Sequence, residues 1–430
     1  MDPATYDEDA YRAELRRKMQ ASEVIVYQAL FAPEHLAPGQ PVLVAATSSG
    51  MIHIYLLGKV MVRGGIRPLP SAPHPLHTGT KSAVASTCAH LPPIPYVRTN
   101  CCFVRTTSSP GPNLSFQAHP TQIYALRFAG DGTNPLLISS GGDQDFRVWS
   151  WKDVLAAAES PASAKTLEPV HIAHLERRTL GFRGALLPAS EVNDIAVSNA
   201  AGHHLFLAGG DSVAQEWDLH TQQFTRQYEG HKEYLHAVRY LQHSQELVTG
   251  SEDGTLGIWD VRQDKKVEFL RPQPAVTTSS PSASSQPLWV GAVAHDASEM
   301  WLACGGGKRH APGGRAQHAQ ASGGFLGMWH LPSRVPVHYT ETSSDVHDVA
   351  FHHMELLSVG NDASLKKWNR SSGQLLAAAH STLPSCHFCV VDDATDIIAV
   401  GGTAPMIDIY TMPGVVSFSL VVEDAATRCT

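Results

Sequence analysis

The chain has 430 residues, 43% of them apolar and 17% charged, a globular composition in which disorder can only be local. With 32 basic against 40 acidic residues the formal charge is −8, which works against direct binding to the phosphate backbone of nucleic acid. No run of about 18 apolar residues is present to span a bilayer, and 7 irregularly spaced cysteines without a charged-then-apolar leader suggest an intracellular chain with reduced thiols.

From the N-terminus, residues 5–20 (TYDEDAYRAELRRKMQ) read as a helix. Thr5 and Glu8 have capping-box spacing, acidic residues sit at the start and basic ones at the end, and Tyr11, Leu15 and Met19 form one narrow apolar stripe. That stripe either packs on the rest of the chain or binds a partner. The next unit, VLVAATSSGMIHIYLL (42–57), has the form of an apolar strand, a Gly-containing turn and a second strand ending in an aromatic. Residues 64–115 then read as a long inserted loop rich in Pro, Ser, Thr and His, within which Tyr96 to Thr106 could form a strand.

The strand–turn–strand unit recurs as LLISSGGDQDFRVWSW (136–151), LFLAGGDSVAQEWDL (205–219), ELVTGSEDGTLGIWDV (246–261) and LLSVGNDASLKKWNR (356–370). In each an Asp stands six positions before a Trp: Asp143 and Trp149, Asp211 and Trp217, Asp253 and Trp259, Asp362 and Trp368. Two looser copies follow the same plan, WLACGGG with FLGMWHL (301–307 and 325–331) and IIAVGGTAPMIDIYTM (397–412). With the first unit they make seven. Segments 272–287 and 305–324 have linker composition, the latter splitting one unit between two of its strands. A sheet that cannot bury its faces alone must stack on its neighbours around an axis, so the expected fold is an all-β, seven-bladed propeller. We expect it to span 24–422, with a helical segment at 1–23 and a tail at 423–430. Either an N-terminal strand or Val415 to Val421 could close the ring.

These units resemble WD40 repeats, most clearly where Gly230-His231 precedes Trp259-Asp260. That resemblance implies a hydrogen-bonded chain of His, strand Ser or Thr, turn Asp and Trp. By position it falls on His119, Ser139, Asp143 and Trp149, and on His231, Thr249, Asp253 and Trp259. The unit ending at Trp368 keeps Ser358 and Asp362 but has Thr342 where the His is expected, so its network should be incomplete and its blade softer. A His, Ser and Asp set invites a catalytic reading, yet its repetition beside Trp favours framework, and no G-x-S-x-G elbow occurs.

Other chemistry is poorly supported. Cys386 and Cys389 form a lone C-x-x-C, short of the four ligands of structural zinc, and strand alternation should send the two thiols to opposite faces. GGGKRH (305–310) lacks the spacing of a phosphate loop, and the 24 histidines form no H-E-x-x-H. No metal, no cofactor and no enzymatic activity are expected. Ser109, Ser160 and Ser280 each precede Pro, as proline-directed phosphorylation sites do, although composition alone also produces such pairs.

FQAH (116–119), LAGGDSVAQEWDL, FTRQYEGHKEYLHAV (224–238), GSEDGTLGIWDVR (250–262) and FSL (418–420), taken in order, are similar to the THO complex subunit 6 family of WD40 proteins. The resemblance implies a nuclear, non-catalytic scaffold in the THO part of the TREX assembly, which couples transcription and processing of messenger RNA to export. It further implies contacts with coiled-coil subunits 5 and 7, and self-association within the assembly. A different class of function is suggested by Trp259-Asp260-Val261-Arg262, which fits the W-D-x-R pattern of substrate receptors for cullin-4 ubiquitin ligases, with Arg262 as the contact residue. The plain alternative is a strand end carrying a surface Arg.

Overall fold

A computed structural model describes residues 24–58, 110–130, 132–160, 166–175, 190–198, 204–263, 266–273, 288–309, 323–411 and 415–422, with the short strands 179–180 and 185–186. The helix expected over 5–20, with Tyr11, Leu15 and Met19, lies outside the described residues, as do the 423–430 tail and the possible strand at Tyr96 to Thr106.

Seven four-stranded antiparallel sheets follow one another along the chain, each built in sequence order from an inner to an outer strand. Their inner strands are Val26–Phe31, Ile123–Ala129, Val192–Val197, Leu235–Leu241, Leu288–His295, Val346–His352 and Cys386–Asp392, which we number as blades 1 to 7. The second strand of each blade, such as Val42–Thr47 or Leu136–Gly141, is buried on both faces because a neighbouring blade covers each side. It therefore reads as an unbroken apolar and small-residue run. Outer strands such as Leu114–Gln117 and His171–His174 alternate instead, with one face toward solvent.

Small residues in those second strands leave room for the next blade. A Cβ at Gly305 would lie 2.4 Å from Val346 Cγ1 of blade 6. Gly305 to Lys308, expected as linker, accordingly form the end of the strand Trp301–Lys308, with Gly305 to Gly307 paired to Gly324 to Leu326. The glycines that look loop-like are there for close packing. Likewise the insertion expected to reach residue 115 ends sooner, since the outer strand of blade 1 begins at Leu114.

The ring closes without exchanging a strand between the two ends of the chain. Phe418–Val421 is the outer strand of blade 7, and blade 1 supplies all four of its own strands. Apolar residues of both blades share one cluster, including Leu43, Tyr55, Phe388 and Ile407. Two polar ties add to it: an antiparallel bridge between Ile25 and Thr403, and a hydrogen bond of 2.9 Å donated by the Tyr55 hydroxyl to the Val421 carbonyl.

One helix, Trp151–Glu159, leaves blade 2 between its third and fourth strands and was not expected. Ser150 caps it by accepting from the Asp153 amide, and Trp151 Nε1 donates to the Leu36 carbonyl at 3.0 Å, fixing the helix against blade 1. Ser150-x-x-Asp153 is a legible cap signal.

Every inner strand carries a register shift at the same place, which passes over one residue: Tyr27, Tyr124, Asn193, His236, Gly291, His347 and His387 in blades 1 to 7. Such bulges re-aim a side chain and raise the local twist. The bulge also overturns the alternation expected at the C-x-x-C, because one residue between Cys386 and Cys389 is skipped. Both thiols fall into the same apolar cluster between blades 6 and 7.

Candidate docking faces and the central mouth

In blade 4, the Trp259 indole N–H donates to Thr249 Oγ1 at 3.0 Å, the Thr249 hydroxyl reaches His231 Nε2 at 2.7 Å, and His231 Nδ1 faces Asp253 at 2.9 Å. The protons run one way, from Trp to hydroxyl to imidazole to carboxylate, which assigns the His231 proton to Nδ1. Blade 2 repeats the chain with Trp149, Ser139, His119 and Asp143 at 2.8–2.9 Å. There Arg147 adds a bond of 3.1 Å to Asp143. Burial alone would raise the Asp253 carboxyl, yet hydrogen bonds from His231, Thr255 and the Lys232 amide hold it well below the carboxylate range. Asp143 is shifted down in the same way, His119 and Arg147 outweighing burial. Ser139 and Thr249 are fully buried, so these hydroxyls are closed to solvent and engaged within their blades.

Blades 6 and 3 depart from this scheme. Trp368 donates to Ser358 Oγ at 2.8 Å, but Thr342, in the His position, donates to the Ser344 carbonyl, and Asp362 pairs with Lys366. In blade 3, Leu207 stands where Ser or Thr would accept, and Trp217 Nε1 has no acceptor among the described residues. Its ring is held by edge contacts to Phe146 and Phe224 at 5.3 and 4.7 Å.

Along the channel, blades 3 and 6 share another device. Asp194 accepts from its neighbour Ile195 N and from Val238 N of blade 4, while Asp348 accepts from Val349 N and from Cys389 N of blade 7. Each carboxylate thereby clamps two successive inner strands. Asp194 is also bracketed by the Arg127 and Arg239 guanidiniums. Among the described residues no side-chain cation bonds Asp348, and burial pushes its carboxyl up to about 6.

Above this clamp lies a cavity of about 400 Å³, lined by all seven residues that the inner-strand ladders skip. Glu191, Tyr234, Glu252 and Trp289 complete its wall. Tyr27 meets Tyr124 edge to face at 5.3 Å, and His347 stacks on His387 at 4.8 Å. Burial lowers His347, and burial with His347 alongside takes His387 to about 4. None of these residues was singled out from the sequence. A usable signal exists, since Tyr124, His236 and His347 each stand five residues after the His119, His231 or Thr342 position.

Elsewhere, the Arg262 fork is engaged within its own strand end, Nε and Nη2 donating to the two Asp260 oxygens at 2.9 and 3.0 Å. Cys386 and Cys389 are buried, and desolvation pushes the Cys386 thiol up to about 11. On the face opposite the mouth, His352, His353 and Asp396 come together with ligand atoms within 4.8 Å of one another, two of the three being exposed. His352 ends the inner strand of blade 6, His353 begins the turn after it and Asp396 lies in a turn of blade 7, a meeting that local sequence spacing does not reveal.

Comparison with known proteins adds the following. The family described as Nucleolar protein 10-like, N-terminal domain, matches residues 192–417, and the WD domain, G-beta repeat, matches residues 111–150. The chain is 27% identical over 417 residues to THO complex subunit 6 of Arabidopsis thaliana, covering 96% of each chain. It is 26% identical over 314 residues to THO complex subunit 6 of Homo sapiens, covering 72% of this chain and 80% of that one. A stretch of 105 residues, 24% of this chain and 28% of the relative, is 34% identical to THO complex subunit 6 of Drosophila melanogaster.

Proposed function

Because the chain belongs to the WD-repeat propeller family described as Nucleolar protein 10-like, N-terminal domain, and is similar to THO complex subunit 6 along 96% of its length, we propose that it is a non-catalytic scaffold subunit of a THO-type assembly. In this reading it acts in the nucleus, within the TREX machinery that couples transcription and processing of messenger RNA to export. The observation that carries the proposal is the extent of the likeness, which runs through every blade and takes in almost the whole of the plant relative.

The physical role follows from the ring. Stacked blades hold loops on two faces and a rim in fixed relation, so that two partners docked at once raise each other's effective concentration. By resemblance those partners are the coiled-coil subunits 5 and 7, with further copies of this chain in a larger assembly. Direct RNA contact is left to other subunits, in keeping with the net charge of −8. The segment 1–23 is assigned to docking through Tyr11, Leu15 and Met19, ahead of a propeller spanning 24–422.

The test is affinity purification of the tagged full chain from nuclear extract, with mass-spectrometric identification of partners. Recovery of THO subunits supports the reading, and a set of partners without them overturns it. Repeating the purification without residues 1–22 tests the helix: unchanged recovery of every partner would limit that segment to packing.

A further inference from the structure

The mouth of the central channel joins aromatic rings to carboxylates. Glu191 lies beside both phenols of the Tyr27 and Tyr124 pair. Across the ring, Glu252 stands 3.1 Å from His236, with the Trp289 ring next to that imidazole. None of the described residues lining the cavity is Lys or Arg. The nearby Arg309 donates to the Glu252 carbonyl and lies 3.8 Å from Glu233, while Arg127 and Arg239 below are engaged by Asp194. Burial lowers both His347 and His387, which disfavours their charged forms. Among its described lining residues the mouth thus sets two carboxylates, Glu191 and Glu252, among aromatic rings.

Its shape depends on one glycine. Where six blades place a side chain, blade 5 has Gly291, and a Cβ there would lie 2.3 Å from Trp289 Cζ3. The missing side chain lets the indole fold over the bulge and into the cavity wall.

We propose that this mouth receives an arginine side chain from a basic, extended segment of a partner protein, its guanidinium stacking on the Tyr and Trp rings while pairing with Glu191 or Glu252. A planar, weakly hydrated guanidinium does both at once, whereas an ammonium is a strongly hydrated point charge. The cavity of about 400 Å³ holds such a side chain with some flanking backbone. The inference does not rest on the THO reading, since any partner with an exposed arginine-bearing segment satisfies it.

Fluorescence anisotropy with the full chain and a labelled eight-residue peptide of alternating Arg and Gly tests it. Saturable binding is expected, weaker by about tenfold or more for the Lys counterpart, and weaker by about tenfold for the variant Glu191→Gln with Glu252→Gln. Gly291→Ala, which removes no charge but displaces the Trp289 ring, is expected to weaken binding about threefold. Absence of saturable binding overturns the proposal. So does equal affinity for the Lys peptide, or for the double variant. Should the double variant lose its cooperative melting, Gly291→Ala carries the test alone, and unchanged affinity there overturns the assignment.

Discussion

Blades 4 and 6 are built from the same strand plan and end in the same Trp, yet they are locked by different means. In blade 4, Asp253 accepts from His231, from the Lys232 amide and from Thr255, and the chain continues through Thr249 to Trp259. In blade 6 only the last link survives, Trp368 to Ser358, and Asp362 is left to a lysine nearer the surface. A turn carboxylate stabilises its blade through the number of buried donors it satisfies. Its presence six residues before a Trp marks the turn and leaves open how tightly the blade is held.

The largest effect expected from this contrast is at the carboxylates themselves. Asp253→Ala strands four donors, the His231 imidazole, the Lys232 amide and the amide and hydroxyl of Thr255, and should cost about 3 kcal/mol, whereas Asp362→Ala breaks one partly exposed ion pair and should cost about 1 kcal/mol or less. Urea unfolding of both variants checks this, and equal losses would break the comparison. Next come the hydroxyls. Thr249→Ala leaves both His231 Nε2 and Trp259 Nε1 unpaired and should cost about 2 kcal/mol, against about 1 kcal/mol for Ser358→Ala, where only the Trp368 N–H is left. Native-state hydrogen exchange would locate the loss within each blade.

The same contrast explains how much of the molecule could be read from its sequence. Blades 2, 3, 4 and 6 announce themselves because a turn Asp and a strand-end Trp recur in them at one fixed spacing, whether or not hydrogen bonds link the two. Blades 1 and 7 are legible once Tyr55 and Tyr410 are allowed in the Trp position, and blade 5 once its turn is allowed to grow. Local spacing carries no information about which residues meet across the ring. The mouth draws single residues from Tyr27 to His387, each turned inward by a bulge that hydrophobic alternation does not encode, which is also why Cys386 and Cys389 were assigned to opposite faces. Gly305 to Lys308 look like linker for a related reason, since a glycine run that serves close packing has the same composition as one that serves a loop.

Acid titration sharpens the comparison at smaller amplitude. Asp253 has its folded value depressed, so its contribution is present above the unfolded value of about 3.9 and is lost as pH falls through the lower folded value. Asp348 of blade 6 is raised to about 6, so its contribution is present below about 3.9 and is lost as pH rises through about 6. Between pH 7 and about 5, acidification should therefore favour the fold through Asp348 while leaving Asp253 untouched. Asp348 is half-buried and faces the channel, where solvent screens it, so the amplitude should be about 1–2 kcal/mol. Subtracting the urea stability of Asp348→Asn from that of the native chain across this range isolates the component. A flat difference would mean that Arg239 neutralises Asp348 as fully as it does Asp194.

The smallest expected difference comes from blade 3, which keeps the Asp and Trp spacing but has Leu207 in the hydroxyl position. Trp217 Nε1 finds no acceptor among the described residues, so Trp217→Phe sheds packing alone, chiefly the edge contacts to Phe146 and Phe224. Trp259→Phe and Trp368→Phe shed packing together with a hydrogen bond of 3.0 or 2.8 Å. All three indoles are buried in the same strand position, so the packing losses are comparable and largely cancel in the differences. What remains is the net worth of one buried indole hydrogen bond, about 1 kcal/mol. It should be slightly larger in blade 6, where Ser358 is left without its indole donor, than in blade 4, where His231 still engages Thr249. Three parallel urea titrations measure these differences, and a Trp217→Phe loss as large as that of Trp368→Phe would show that the indole N–H adds nothing in any blade.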